Sequence, residues 1–149
     1  MYALDINNGS IVWKSEGFVN TSTDFVYADN GDILAGNFNN IIRINIIDGT
    51  TVWETVRNCP TTGGCQITES NGHIYGWSAG GPKISVFDIN TGDFLYESRG
   101  IGGGSIQQLA PLVGPAGIVY APRAQNTVLT DTLVAFLDTG TKIIRTMEN

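Results

Sequence analysis

The 149-residue chain sets 8 Lys and Arg against 14 Asp and Glu, a formal net charge of −6, so most of its surface would repel a polyanion and nucleic acid is excluded as an expected partner. With 42% hydrophobic and 15% charged residues it has the composition of a globular chain, yet no apolar run approaches the ~18 residues of a membrane-spanning helix. Its 19 glycines, scattered among runs of Val, Ile, Thr and Tyr, point to many short strands joined by tight turns.

The chain opens directly in a strand pattern. Tyr2-Ala3-Leu4-Asp5, a turn through Gly9 and then Ser10-Ile11-Val12-Trp13 read as two strands and their connection, within residues 1–16. The first residues, Met1 to Asp5, lack the basic start and apolar middle of a signal peptide, so a targeting segment, if there is one, is expected upstream. The same pattern returns at Ile42-Arg43-Ile44-Asn45 with Gly49 and Trp53, closing a unit at 17–57. It returns again at Ser85-Val86-Phe87-Asp88 with Gly92 and Tyr96, closing a unit at 64–99, and a shortened copy with Gly140 and Ile144 closes 105–148.

The turn glycines at 9, 49, 92 and 140 and the ring or apolar position at 13, 53, 96 and 144 advance by the same steps of 40, 43 and 48. A third landmark, Gly31, Gly72 and Gly117 before an apolar pair, keeps the register with steps of 41 and 45. In the 64–99 unit the strand-length runs are 65–70, 73–79, 83–89 and 93–99, divided by Asn71-Gly72, Gly80-Gly81-Pro82 and Asn90-Thr91-Gly92. Paired helices would also fit such a period, but the runs alternate with period two and no window holds helical spacing beyond two turns. The expected fold is therefore all-β: about three and a half four-stranded antiparallel blades of a β-propeller, with a half blade at 1–16, blades at 17–57, 64–99 and 105–148, and an insertion near 122–130.

Physical chemistry accounts for the motif. A large ring once per blade fills the widening space between adjacent sheets. An Asp before the turn, Asp5 or Asp88, accepts backbone hydrogen bonds, and the turn glycine holds a left-handed conformation. Rings of this kind close with about four to eight blades. The chain is thus expected to be a piece of a larger one, or a unit of which two or more copies complete a ring, with the remaining blades or a protein as its partner.

The pattern Ala3-Leu4-Asp5-x-x-x-Gly9-x-x-x-Trp13 resembles the pyrroloquinoline-quinone repeat of quinoprotein dehydrogenases and of related non-enzymatic propellers, and the resemblance extends over essentially the whole chain. It implies that the turn joins the third and fourth strands of a blade and that Trp13 and Trp53 dock between neighbouring blades. Tyr96 substitutes another ring, Ile144 departs from the pattern, and Asn45 stands in place of the usual Asp. In the enzymes the resemblance implies an axial quinone stacked on an aromatic residue, with calcium ligands and an acidic base. Trp77, outside the docking register, is the candidate for such a stacking surface, beside the plainer reading of a packed aromatic. No catalytic residue transfers position by position, and no cofactor is expected within these residues; pyrroloquinoline quinone and calcium belong to the alternative of a complete enzyme ring.

Cys59 and Cys65 enclose a short loop through which a disulfide would form easily, as expected of an extracellular or periplasmic protein. A zinc site is disfavoured by the single histidine, His73. Asp24, Asp29 and Asp32 are expected to be solvated turn residues. Three functions remain open: a non-catalytic protein-binding scaffold, which is favoured, part of a quinone-dependent alcohol or sugar dehydrogenase, and a secreted carbohydrate- or surface-binding repeat protein.

Overall fold

Runs of β-branched and aromatic residues, each stopped within a few positions by Asn, Asp or Gly, give the first ten strands lengths of three to six residues. The computed structural model describes residues 1–16, 24–36, 39–57, 66–78, 83–99, 110–125 and 128–137. Their strands form four antiparallel sheets. The first pairs β1 (Tyr2–Leu4) with β2 (Ile11–Lys14). The second runs in order through β3 (Asp24–Tyr27), β4 (Ile33–Gly36), β5 (Asn40–Ile44) and β6 (Thr51–Val56). The third repeats that meander with β7 (Ile67–Ser70), β8 (His73–Trp77), β9 (Ile84–Asp88) and β10 (Phe94–Glu97). The fourth contains β11 (Leu112–Val113), β12 (Ile118–Gln125) and β13 (Val128–Leu137). These are the four-stranded blades of a partial propeller, two of them complete among the described residues.

Position within a blade decides burial. The middle strands β4, β5, β8 and β9 are buried almost throughout because a neighbouring blade covers each face, whereas β2 and β6 at the outer edge alternate between covered and exposed. The blades are joined by apolar contact. Leu34 and Ile41 of the second sheet meet Ile67, Ile74 and Phe87 of the third, and Tyr75, Trp77, Ile84 and Val86 of the third meet Val119 and Ala121 of the fourth. Each such side chain contributes about 1.5–3 kcal/mol on leaving water. Between Ser70 and His73 the turn residues Asn71 and Gly72 have φ of 54° and 78°, two consecutive positive values that make a two-residue hairpin turn matched to strand twist.

Of the insertion expected near 122–130, residues 122–125 and 128–130 are drawn into the sheet. β12 continues to Gln125 and β13 begins at Val128, with Pro122 opposite Leu133 and Gln125 opposite Val128, so the extra residues lengthen a hairpin. Proline is tolerated there because β11 pairs only with Val119 and Tyr120, leaving no described ladder on the far side of Pro122 for an N–H to feed.

Candidate functional site: interblade sockets and the exposed rim

Three turns of the repeat are nearly superimposable in their hydrogen bonding. The N–H of Gly9, Gly49 and Gly92 donates to the carbonyl of Asp5, Asn45 and Asp88 at 2.7, 2.9 and 2.9 Å, with glycine φ of 72°, 74° and 76°. The side-chain oxygen at the head of each turn accepts from the backbone two residues on: Asp5 from Asn7 at 2.7 Å, Asn45 from Ile47 at 2.8 Å and Asp88 from Asn90 at 2.7 Å. The N–H groups of Thr91 and Asn90 hold the Asp88 carboxyl below its usual range, and the Thr50 hydroxyl and N–H do the same for Asp48.

Two of these turns are sockets for a tryptophan from the preceding blade. Trp13 donates its indole N–H to the Ile46 carbonyl at 2.8 Å, and its ring lies so close over Gly49 that a Cβ there would stand 2.5 Å from it. Trp53 repeats the arrangement one blade on, donating to the Ile89 carbonyl at 3.1 Å over Gly92, where a Cβ would lie 2.6 Å from the ring. Glycine is required here twice over, by the positive φ and by the ring. Tyr96, half-buried against the Tyr75 and Trp77 cluster, occupies the next ring position, and its hydroxyl is buried without a hydrogen-bond partner among the described residues. Gly140 lies outside the described residues, as do Cys59 and Cys65.

A polar link that the sequence reading missed crosses the same interface. Asp32 is buried, contrary to the solvated role expected of it, and its Oδ2 accepts from Arg43 Nε at 2.8 Å while Arg43 Nη1 donates to the Ile89 carbonyl at 2.9 Å. Burial alone would raise the Asp32 pKa, but hydrogen bonds from Asn30, Arg43 and the Ile46 N–H together with the guanidinium charge outweigh it and hold the carboxyl below its usual value. The available signal was Arg43 itself: an arginine between Ile42 and Ile44 in a strand covered on both faces must find a buried acceptor. Asp29 is exposed as expected. Glu69, partly buried in β7, has its pKa raised by burial and then by the nearby Asp29 charge.

Trp77 is 2% exposed and packed among Tyr75, Ile84, Val86 and Ala121, so its ring is a core element rather than a stacking surface. No three His, Cys, Asp or Glu side chains converge among the described residues, and no helix there is long and apolar enough to cross a membrane. What the fold does expose is apolar and recurrent. Ile11 and Val12 of β2, Val52 and Val56 of β6, and Phe94 and Leu95 of β10 are 43–77% exposed along the outer strands. An apolar recess of about 260 Å³ lies beside Met1, Tyr2, Phe25, Val26, Tyr27 and Ile33.

The structure is similar to BamB from Moraxella catarrhalis (TM-score 0.67, 18% identity, 93% of this chain and 40% of that one). It is equally similar to the computationally designed Ika8 protein (TM-score 0.67, 20% identity, again 93% and 40%). A europium-containing methanol dehydrogenase matches at TM-score 0.51 and 17% identity over 88% of this chain and 24% of its own. These likenesses establish the fold, part of a β-propeller of four-stranded antiparallel blades, and the chain spans 40% of the length of the first two proteins. No protein-family model matches the sequence, and no curated protein matches it.

Proposed function

We propose that the chain is a non-catalytic propeller scaffold that binds protein partners through its rim, in an extracellular or periplasmic setting. The observation that carries this reading is the exposed apolar residue that recurs at one place on successive outer strands, Val12, Val52 and Leu95, with Ile11, Val56 and Phe94 exposed on the same strands. Apolar groups repeated at one place in three blades form a stripe whose burial by a partner is worth about 25 cal/mol per Å². The outer strands also keep one ladder edge free of further strands in the sheets described, and such an edge can pair with an extended segment. Tryptophan chemistry in the core and turn chemistry at the periphery both serve blade stacking, which leaves the rim as the surface where specificity is written.

The test is site-specific photocrosslinking in extracts of the source cells. A photoreactive residue at position 52 or 95 is expected to capture one discrete partner, and capture should be lost when Leu95→Lys or Val52→Lys is placed beside it. Labelling that is unchanged by these charges refutes the rim reading. Dye-linked alcohol oxidation by the purified protein on addition of pyrroloquinoline quinone and calcium refutes the non-catalytic reading.

A further inference from the structure

The outer strands can be compared position by position, because each carries one ring of the repeat: Trp13 in β2, Trp53 in β6 and Tyr96 in β10. The residue after the ring is Lys14, Glu54 or Glu97. Two of these have an ion partner: Lys14 Nζ lies 2.8 Å from a Glu16 oxygen, and Glu97 lies 2.7 Å from Lys83 Nζ. Glu54 is exposed and, among the described residues, accepts from the Asn40 amide with no cation against it. Three residues after the ring stand Glu16, Val56 and Arg99, so β6 alone is apolar both there and at the residue before the ring. Val52 is 49% and Val56 77% exposed. Strand alternation puts Val52, Glu54 and Val56 on one face, while Trp53 and Thr55 turn to the third blade, Trp53 lying over Gly92 and Thr55 donating to the Gly92 carbonyl at 2.6 Å. Described strands of the first and third sheets flank the second blade, so this face is exposed with neighbours in place on both sides. β6 is also the longest of the three outer strands, six residues against four, and one of its edges lies outside the ladder.

We propose that β6 accepts an extended segment of a partner protein in which a Lys or Arg has an apolar residue two positions to either side. The proposal rests on the rim reading and names the partner's chemistry. Added as an antiparallel strand, such a segment bonds its main chain to the free edge of β6. Side chains two apart share a face, so its basic residue stands opposite Glu54 and its apolar residues opposite Val52 and Val56. Charge complementarity selects this occupant: an exposed carboxylate without a cation, in a chain of net charge −6, attracts a basic segment and repels an acidic one. A second copy of this chain fits badly, because two β6 strands paired antiparallel about Glu54 would set the two Glu54 carboxylates against each other.

The probe is the capped synthetic peptide Thr-Val-Thr-Lys-Thr-Val-Thr, compared with the same peptide carrying Glu at its centre. Each is titrated into the isotopically labelled 149-residue protein while the backbone amide resonances are followed. The expected result is saturable shifts along Thr51–Val56 with the lysine peptide and roughly tenfold weaker binding of the glutamate peptide. Glu54→Lys, a change at an exposed position, should invert that preference, and Glu54→Gln should reduce it without inverting it. Equal binding of the two peptides, a preference that Glu54→Lys leaves in place, or shifts confined to other residues overturns the proposal. Absence of binding overturns it too, and photocrosslinking separates the two failures: a partner captured at position 52 leaves the rim reading standing, whereas no capture removes both. Shifts along β6 that grow with protein concentration in the absence of peptide also overturn it, because they make a second copy the occupant.

Discussion

Replacing Arg43 by Met removes a buried ion pair within the second blade together with the hydrogen bond by which Arg43 ties that blade to the third. The pair is short, 2.8 Å between Nε and Oδ2, with the side chains 10% and 9% exposed, so water cannot take over either partner's role. After Arg43→Met, Asp32 must either stay ionised without the guanidinium or take up a proton. For a carboxyl of ordinary pKa 3.8, protonation at pH 7 costs about 1.36 kcal/mol per pH unit, roughly 4 kcal/mol in all, which caps the loss from this route. Removing one partner of a buried pair typically costs about 3–5 kcal/mol. The Asn30 and Ile46 N–H donors remain, so the expected loss at pH 7 is about 3 kcal/mol. The pH dependence has a definite sign. In the native protein the Asp32 pKa is depressed, so its contribution is present above the ordinary carboxylate value and lost as pH falls through the folded value. In the variant the folded pKa rises, which lowers stability as pH rises through it. The gap between the two proteins therefore narrows toward pH 4, to about 1 kcal/mol. Urea unfolding followed by circular dichroism at pH 7 and pH 4 measures it. A variant within 1 kcal/mol of the parent at pH 7, or a deficit of the same size at both pH values, refutes the reasoning.

Gly49→Ala and Gly9→Ala impose the same positive-φ strain, about 1 kcal/mol, but only the first drives a methyl into the Trp13 ring. Gly49→Ala should cost at least about 2 kcal/mol more in urea unfolding than Gly9→Ala. Glu69→Gln removes a carboxylate that burial and Asp29 disfavour, so stability should rise at pH 7 and be unchanged below pH 4; thermal melts at the two pH values decide it. Oxidised protein isolated without reductant should carry a Cys59–Cys65 disulfide, read as a mass two hydrogens below the reduced form and a linked peptide on digestion.

The blades were legible because the repeat places chemically constrained residues at one spacing. A turn that needs a left-handed glycine, an acceptor four residues before it and a ring four residues after it leaves few alternatives, and these landmarks hold the register across strands too short to identify singly. Long-range pairing was harder to see. Asp32 sits after Asn30-Gly31, ordinary turn chemistry, and nothing in that local string shows that the turn closes over a strand carrying Arg43. Trp77 stands out of the docking register in the sequence, which suggests an exposed role, but β8 is a middle strand and every residue from Ile74 to Trp77 is buried by it. The residues near 122–130 read as an insertion because Pro122 and Gln125-Asn126-Thr127 carry loop chemistry, and sequence alone cannot tell a loop from the end of an extended hairpin.

Comparing the three turns separates what the motif requires chemically from what it merely tends to carry. At the head of the turn Asn45 makes the same contact as Asp5 and Asp88, so an oxygen acceptor is needed and a negative charge is not. Three residues later the device is repeated with three different side chains: Asn8 accepts from Ser10 at 2.7 Å, Asp48 from Thr50 at 2.9 Å and the Thr91 hydroxyl from Asp93 at 3.2 Å. The turn is thus a double step of side-chain-to-backbone bonds ending at a glycine, and it forms equally well with or without a ring resting on it, as Gly9 shows beside Gly49 and Gly92. Because the turn is built before any tryptophan arrives, docking adds contact to a preformed surface and need not order the backbone. That is the property that lets one unit stack on the next, as Trp13 does on the turn at Gly49 and Trp53 on the turn at Gly92.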